Sequence, residues 1–546
     1  MREVGPERFR GLSSDNTGNT SVGRVRTHNE FPWVFVLPDP CHELGNLAKD
    51  IGKIPFFKDV IVKIRGTIKH FKKSSFATAH LKRVRKQLGI GRGLVSIAKT
   101  RFATVYFAGE SVRRNKPAIE RLCQQGLVKF KNKVVNEAFL SALAASTFAM
   151  QLDQLLAVLS PVAKSVTCLE STFSTVSDVF TFYLAIMADI HDYITSPYNQ
   201  VPTSVKEQIR LRANSRYNNT IGSSDIYLTG FILDPRYRGS SILRQYNPLI
   251  IQKIKLGHFR ETSAERPKTN NLPEPVRRAG KFLIKMLRIE YEHRNIPIAG
   301  LSAREALEQL KEQVPLYVKS AYPFNRPLKE LDGPREWWTR LKHVEEAQPL
   351  AALACMIFDI VPNSMAEERT ASTFTWLNSD LRASQKVPTL VRTTQIRQHK
   401  QRRAKNKVSP KHLPTVKFWD LGKTLSAVKI GEKRKRSDQD DKSDGKDTRS
   451  DSEDEDTGES DDSGSESETE GSEHLENNES LGREVEALDG FAAEMDVGVI
   501  LTSLELRDIL SETSLIPAAK PAPVAKQVKS SKAAERALTE EDWSEF

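Results

Sequence analysis

The sequence predicts an α/β protein with predominantly helical content, followed by a long tail without a core of its own. Three observations support this class. The first hundred residues combine a strand-like apolar run with helically spaced apolar residues. Residues 111–348 carry apolar side chains mostly at the spacing of helices. Beyond residue 400 the chain turns basic and then acidic, with too few apolar residues to fold.

The first segment, residues 1–110, is predicted to mix strand and helix. The apolar run from Trp33 to Leu37 ends at Pro38 and is typical of a strand. Apolar residues then recur at helical spacing from Asp50 to His70, before a stretch rich in Lys and Arg between Lys72 and Lys99.

The second segment, residues 111–348, is predicted to be an all-helical insertion. Its clearest helical patterns run from Asn136 to Leu159 and from Val176 to Tyr193. The residues from Leu228 to Leu233 are predicted to interrupt the helical pattern, because Pro235 follows within Asp-Pro-Arg-Tyr and favours a turn.

The third segment, residues 349–400, is predicted to add a helix to the fold that residues 1–110 begin. Pro362 marks a break after an apolar stretch, and Asn363 or Ser364 is the expected N-cap of a helix beginning near Met365. Glu367 and Glu368 would lie in its first turn, where the helix dipole favours negative charge; this alone could explain both acids.

The tail, residues 401–546, carries a strong charge asymmetry. Residues 437–480 hold a net charge of about −16, so the remainder of this +12 chain carries about +28. A body this basic favours polyanions such as DNA, although excess surface Lys and Arg is the plainer alternative. Lys433, Arg434, Lys435 and Arg436 are predicted to form a nuclear localisation signal, which places the protein in the nucleus.

Composition also excludes some classes of protein. The chain has four widely spaced cysteines, which argues against a disulfide framework or a structural zinc site. We expect no membrane association, because no uninterrupted apolar run reaches the roughly 20 residues that span a bilayer.

Three motifs follow one another in an informative order. They are Ser14-Asp15-Asn16, then Asp39-Pro40-Cys41-His42, and far downstream the run from Ser364 to Ser372 that contains Glu368-Arg369. Together they resemble the hAT superfamily of DNA transposases. The resemblance implies a ribonuclease H-like core interrupted by a helical insertion, with a dimerisation segment in residues 349–400. Because residues 1–110 would supply only part of that core, the implied fold is a partial one.

The resemblance assigns roles to individual residues. Asp15 would match the second catalytic aspartate and Glu368 the catalytic glutamate, and both would bind Mg²⁺ or Mn²⁺. Residues expected to lie against DNA are Asp39 and His42 of the (Cys or Asp)-x-x-His motif, Arg369, and Arg101 and Phe102. The last two match the arginine and the tryptophan of the family's Thr-Arg-Trp, with Phe102 in place of the tryptophan.

The family's first aspartate lies on strands upstream of the second, and the residues before Asp15 are too few to hold them. We therefore expect an N-terminally truncated, catalytically inactive, transposase-derived protein that self-associates and binds DNA. One alternative is an active hAT-type transposase with a mis-annotated start. Another is a chromatin or protein interaction factor that binds basic nuclear proteins through its acidic tail.

Overall fold

Helices make up 73% of the described residues in the computed structural model, which confirms the predominantly helical class. The structure describes residues 2–97, 104–170, 174–222, 224–237, 274–329, 333–378, 385–406 and 543. Over these ranges, strand is limited to one two-stranded sheet. Arg101, Phe102 and the predicted nuclear localisation signal at 433–436 lie outside the described residues.

The strands and α-helices are named here in chain order. They are β1 Gly11–Ser14, α1 Gly18–Glu30, β2 Phe35–Pro38, α2 Pro40–Gly52, α3 Pro55–Lys73, α4 Ser75–Gln87, α5 Thr104–Gln124, α6 Lys133–Leu140, α7 Ala142–Leu169, α8 Val176–Thr195, α9 Thr203–Thr220, α10 Asp225–Ile232, α11 Glu274–Glu292, α12 Ala303–Val318, α13 Pro334–Leu341, α14 Gln348–Phe358, α15 Met365–Leu377 and α16 Val387–Asn406.

The sheet is a parallel pair joined by α1. Gly11 of β1 lies opposite Phe35 of β2, and Ser14 lies opposite Pro38. Because the strands are parallel, the residues that follow them emerge at the same edge of the sheet. Asp15 and Asp39, which follow β1 and β2, therefore lie at the same edge of the sheet.

Two predicted helices are each divided by a local signal. The pattern from Asp50 to His70 spans the end of α2 and most of α3, with Pro55 at the first position of α3. The pattern from Asn136 to Leu159 is broken at Ser141, whose side chain accepts a hydrogen bond from the Ala144 amide and caps α7. Proline at a helix start and serine at an N-cap explain both breaks.

The predicted interruption from Leu228 to Leu233 is wrong in its first part. Residues 226–232 belong to α10, and all of them are buried. A helix surrounded by core on every side has no polar face, so the sequence carries no amphipathic period to reveal it. The chain turns at Asp234 and Pro235, as predicted.

The core is one hydrophobic cluster to which helices from all three predicted segments contribute. At its centre α7 packs against α2, α5, α6 and α8. By length and composition α7 could cross a membrane, a property that the sequence reading overlooked. Its residues Leu152, Leu155, Leu159 and Val162 are buried in the core. The divisions at residues 110 and 348 stay predictions.

A buried ion network holds the turn after α10 against α8. Arg236 donates to both carboxylate oxygens of Asp234, and its Nη2 lies 2.7 Å from Oδ1 of Asp178. Asp178 also completes the capping box of α8 with Thr175. Burial by itself would lower the pKa of Arg236, yet Asp178 and Asp234 raise it well above its ordinary value. The network therefore keeps a full positive charge inside the protein.

Candidate functional site at the carboxyl ends of the strands

Asp39 begins α2 directly after β2 and is fully buried. Its Oδ1 accepts hydrogen bonds from the amides of Cys41, at 2.7 Å, and His42, at 3.2 Å. This is the N-cap of α2, and Pro40 at the first helical position reinforces the start.

The second oxygen of Asp39 reaches a distant part of the chain. Its Oδ2 accepts from both the amide and the hydroxyl of Ser364, each at 2.6 Å, across 325 residues. Ser364 is the N-cap residue of α15, so one carboxylate lies at the N-termini of two helices. Each helix dipole favours a negative charge there, and the bond fixes where α15 begins relative to the sheet.

Glu368 lies in the first turn of α15 and contacts the motif of α2. Its Oε1 is hydrogen bonded to Nε2 of His42, an ion pair whenever the imidazole is protonated. The side chains are 38% and 33% exposed, so both remain open to solvent. Potential ligand atoms of Asp39, His42 and Glu368 all lie within 4.8 Å of one another.

Asp15 follows β1 but is not a member of that group. The neighbouring position is taken by the buried guanidinium of Arg24, which the sequence reading did not single out. Its Nη1 donates to the carbonyls of Ser14 and Asp15 and to the Ser14 hydroxyl, and its Nη2 donates to Asn16. Burial lowers the pKa of Arg24, while Asp15 and Glu43 oppose that effect.

These contacts bear on the metals that the resemblance implies. A two-metal site needs carboxylates free to share two cations close together. Here the end of β1 holds a fixed guanidinium, both oxygens of Asp39 accept protein hydrogen bonds, and Glu368 is bonded to His42. The donor set does not fit a pair of Mg²⁺ ions. Its mixture of imidazole and carboxylate is better suited to one transition-metal ion.

Arg369 and the neighbouring Asn363 form hydrogen bonds to the end of helix α7. Arg369 is exposed and donates to the carbonyl of Glu170, just beyond the end of α7, at 3.3 Å. Asn363 donates to the carbonyl of Leu169 and accepts from the amide of Met365. These bonds attach the start of α15 to the end of α7. Arg216 similarly attaches α9 to α2 through Glu43 and Asp50.

The pair formed by His42 and Glu368 is expected to contribute little to stability. Replacing His42 with Ala should lower the free energy of unfolding by less than about 1 kcal/mol, because partly exposed ion pairs are screened by solvent. Chemical denaturation of the wild type and of H42A measures the difference. Lys133→Ala, which breaks the exposed pair with Glu137, is the matched control. A loss from H42A well above that of the control would mean that the pair is a structural element.

The chain matches no protein-family model, and no curated protein matches it either. The resemblance to hAT transposases therefore stays a prediction, which depends on the motifs and on how the chain arranges them.

Proposed function

We propose that this protein is a transposase-derived, nuclear DNA-binding protein that self-associates and does not cleave DNA. The observation that carries the proposal is the bond of Asp39 to Ser364, which places the helix of Glu368 against the strand–helix–strand unit of Asp15. A partial ribonuclease H-like core interrupted by a helical insertion would make this contact between its two separated parts. The second and third motifs of the resemblance form it.

The absence of cleavage is proposed from the geometry at the strand ends. Arg24 supplies a permanent cation beside Asp15, where a nuclease would need an exchangeable one. Asp39 caps α2 and binds the N-cap residue of α15, and its hydrogen bonds would compete with metal coordination. The protein would thus retain the scaffold of the catalytic site while using its carboxylates to hold the fold together.

DNA binding is proposed from the basic surface of the folded part. Helix α16 carries six Lys and Arg residues and no acid, and those at Arg392, Arg397 and Lys400 are exposed. The guanidinium of Arg397 lies 4.5 Å from the ring centre of Trp376 on α15. Such a surface attracts phosphate groups without reading sequence.

Self-association is proposed from apolar side chains on the same two helices. Trp376, Val387 and Ile396 are 57%, 71% and 58% exposed. Apolar side chains exposed to this extent are often covered by another protein. Sedimentation velocity should detect a dimer. The double variant Val387→Ser, Ile396→Ser keeps every charge and, at the same concentration, should shift the equilibrium toward monomer. A wild type that stays monomeric at high concentration would contradict this part.

The main test measures DNA binding and cleavage on the same preparation. Anisotropy titrations of a labelled duplex should show that the logarithm of the binding constant falls linearly with the logarithm of the salt concentration. The slope should be roughly −0.9 per phosphate contact, with little difference between DNA sequences. A supercoiled plasmid incubated with Mg²⁺ or Mn²⁺ should remain intact. Absence of binding at low salt would refute the proposal. Nicking that is abolished by Glu368→Gln would support the active transposase instead, and nicking that persists in E368Q would indicate a contaminant.

A further inference from the structure

A basic cavity of about 710 Å³ lies away from the carboxylate site, between the end of α3, helix α4 and residues 88–97. Its charged lining consists of Lys72, Lys82, Arg85 and Lys86, and no Asp or Glu is among the described residues that line it. The two acids on the adjoining helix α5, Glu110 and Glu120, are paired with Arg113 and Lys116. The cavity thus concentrates positive charge without a carboxylate to balance it.

Arg85 is the central feature of this cavity. Its Nε is buried and has no hydrogen-bond acceptor among the described residues. Burial and the neighbouring Arg114 both lower its pKa. A buried donor without an acceptor is costly, and a second cation nearby adds to that cost. An anion that accepts from Arg85 would relieve both.

The backbone over Arg85 is held in place by specific contacts. The amide of Ile90 donates to the carbonyl of Arg85 at 2.9 Å, and the amide of Val95 donates to the hydroxyl of Ser111 at 2.9 Å. Gly93 lies so close that a Cβ there would be 2.8 Å from Nη1 of Arg85. The glycine therefore leaves just enough space for the guanidinium, and the loop is organised before any ligand arrives.

We propose that this cavity binds a phosphodiester group of DNA, with Arg85 as the phosphate-contacting residue. This inference rests on the DNA binding proposed above and assigns it a location. Arginine matches phosphate geometry through two parallel donors, and Lys82 and Lys86 stand on the same helix to neutralise neighbouring phosphates. The volume is in the range that holds a group larger than inorganic phosphate. An anionic membrane is disfavoured, because the apolar lining at Ile68, Phe71 and Leu81 is buried and cannot insert into lipid.

The test compares variants of the full chain in anisotropy titrations with a labelled DNA duplex. Arg85→Gln should weaken binding about tenfold or more, since a charge-assisted contact is lost. Arg83→Gln removes the same charge two residues away on the exposed face of α4, where Arg83 contacts His80, and should weaken binding about twofold. Gly93→Ala keeps every charge and requires only a small shift of the flexible Arg85 side chain, whose Nη1 would lie 2.8 Å from the new Cβ, so it should weaken binding less than R85Q.

Modification of arginines by phenylglyoxal, mapped by peptide mass spectrometry, supplies a readout on the wild type that does not depend on a variant folding. DNA should protect Arg85 and leave Arg83 reactive. Equal effects of R85Q and R83Q, or no protection of Arg85 by bound DNA, would overturn the location while leaving the DNA-binding proposal intact. Failure of the wild type to bind DNA would overturn both. Protection of Arg85 by phosphatidylserine vesicles and not by DNA would replace the proposal with a membrane site.

Discussion

Replacing Arg236 with Met is expected to lower the free energy of unfolding by about 3–5 kcal/mol, because breaking a buried ion network leaves a carboxylate charge uncompensated. The side chain of Asp234 is fully buried, and that of Asp178 is 12% exposed. Both would have to bury a negative charge or take up a proton. Urea denaturation followed by far-ultraviolet circular dichroism measures the loss.

Arg113→Met is the matched control for R236M. Arg113 also contacts two carboxylates, those of Glu110 and Asp153, but its side chain is 52% exposed. We expect it to cost less than about 1 kcal/mol. If R236M proves too unstable to purify, the triple variant with Asp178→Asn and Asp234→Asn should recover part of the stability by removing the stranded charges. A loss from R236M no greater than that from R113M would contradict the proposed role of the network.

Asp39→Ala is expected to have the second largest effect, a loss of about 2–4 kcal/mol. The variant removes the cap of α2 and the carboxylate oxygen that accepts both hydrogen bonds from Ser364 at the start of α15. Because the amides of Cys41 and Ser364 would then lack their partner in a buried place, the cost exceeds that of an exposed cap. Thermal and urea unfolding measure it.

Ser364→Ala separates the two halves of that contact. It removes the hydroxyl donor and keeps the amide, so it should cost about 1 kcal/mol. In the double variant, the two losses should not add, since both act on the same bond. Additive losses would mean that Asp39 does not join the two parts of the chain. Asp15→Asn, at the partly exposed end of β1, should be milder than D39A.

The local sequence was sufficient where a helix is long or has a clear boundary. The period from Val176 to Tyr193 predicted α8, which ends two residues later at Thr195. The break at Pro362 and the capping residues predicted that α15 begins at Met365, as it does. Helix α10 escaped prediction because it is both short, at eight residues, and buried on all sides, which leaves too little sequence to show a helical period.

The candidate site, too, was predicted from the sequence only in part. Sequence order and the resemblance singled out Asp15, Asp39, His42 and Glu368, and the structure brings the last three together while Asp15 stays outside their group. Arg24 was missed, since a single arginine in a polar helix carries no signal in the sequence. Its importance comes from the backbone carbonyls that the turn after β1 directs toward it.

By itself, the sequence determined the helical class, the position of α8, the start of α15 and the charge asymmetry, because these depend on the periodicity and composition of neighbouring residues. Only the tertiary structure decided how the carboxylates are used. Ser364 lies 325 residues from Asp39, and no local pattern encodes that their side chains share a hydrogen bond. Asp39 links the N-termini of α2 and α15, because the packing of helices from distant parts of the chain brings those N-termini to the same end of the sheet.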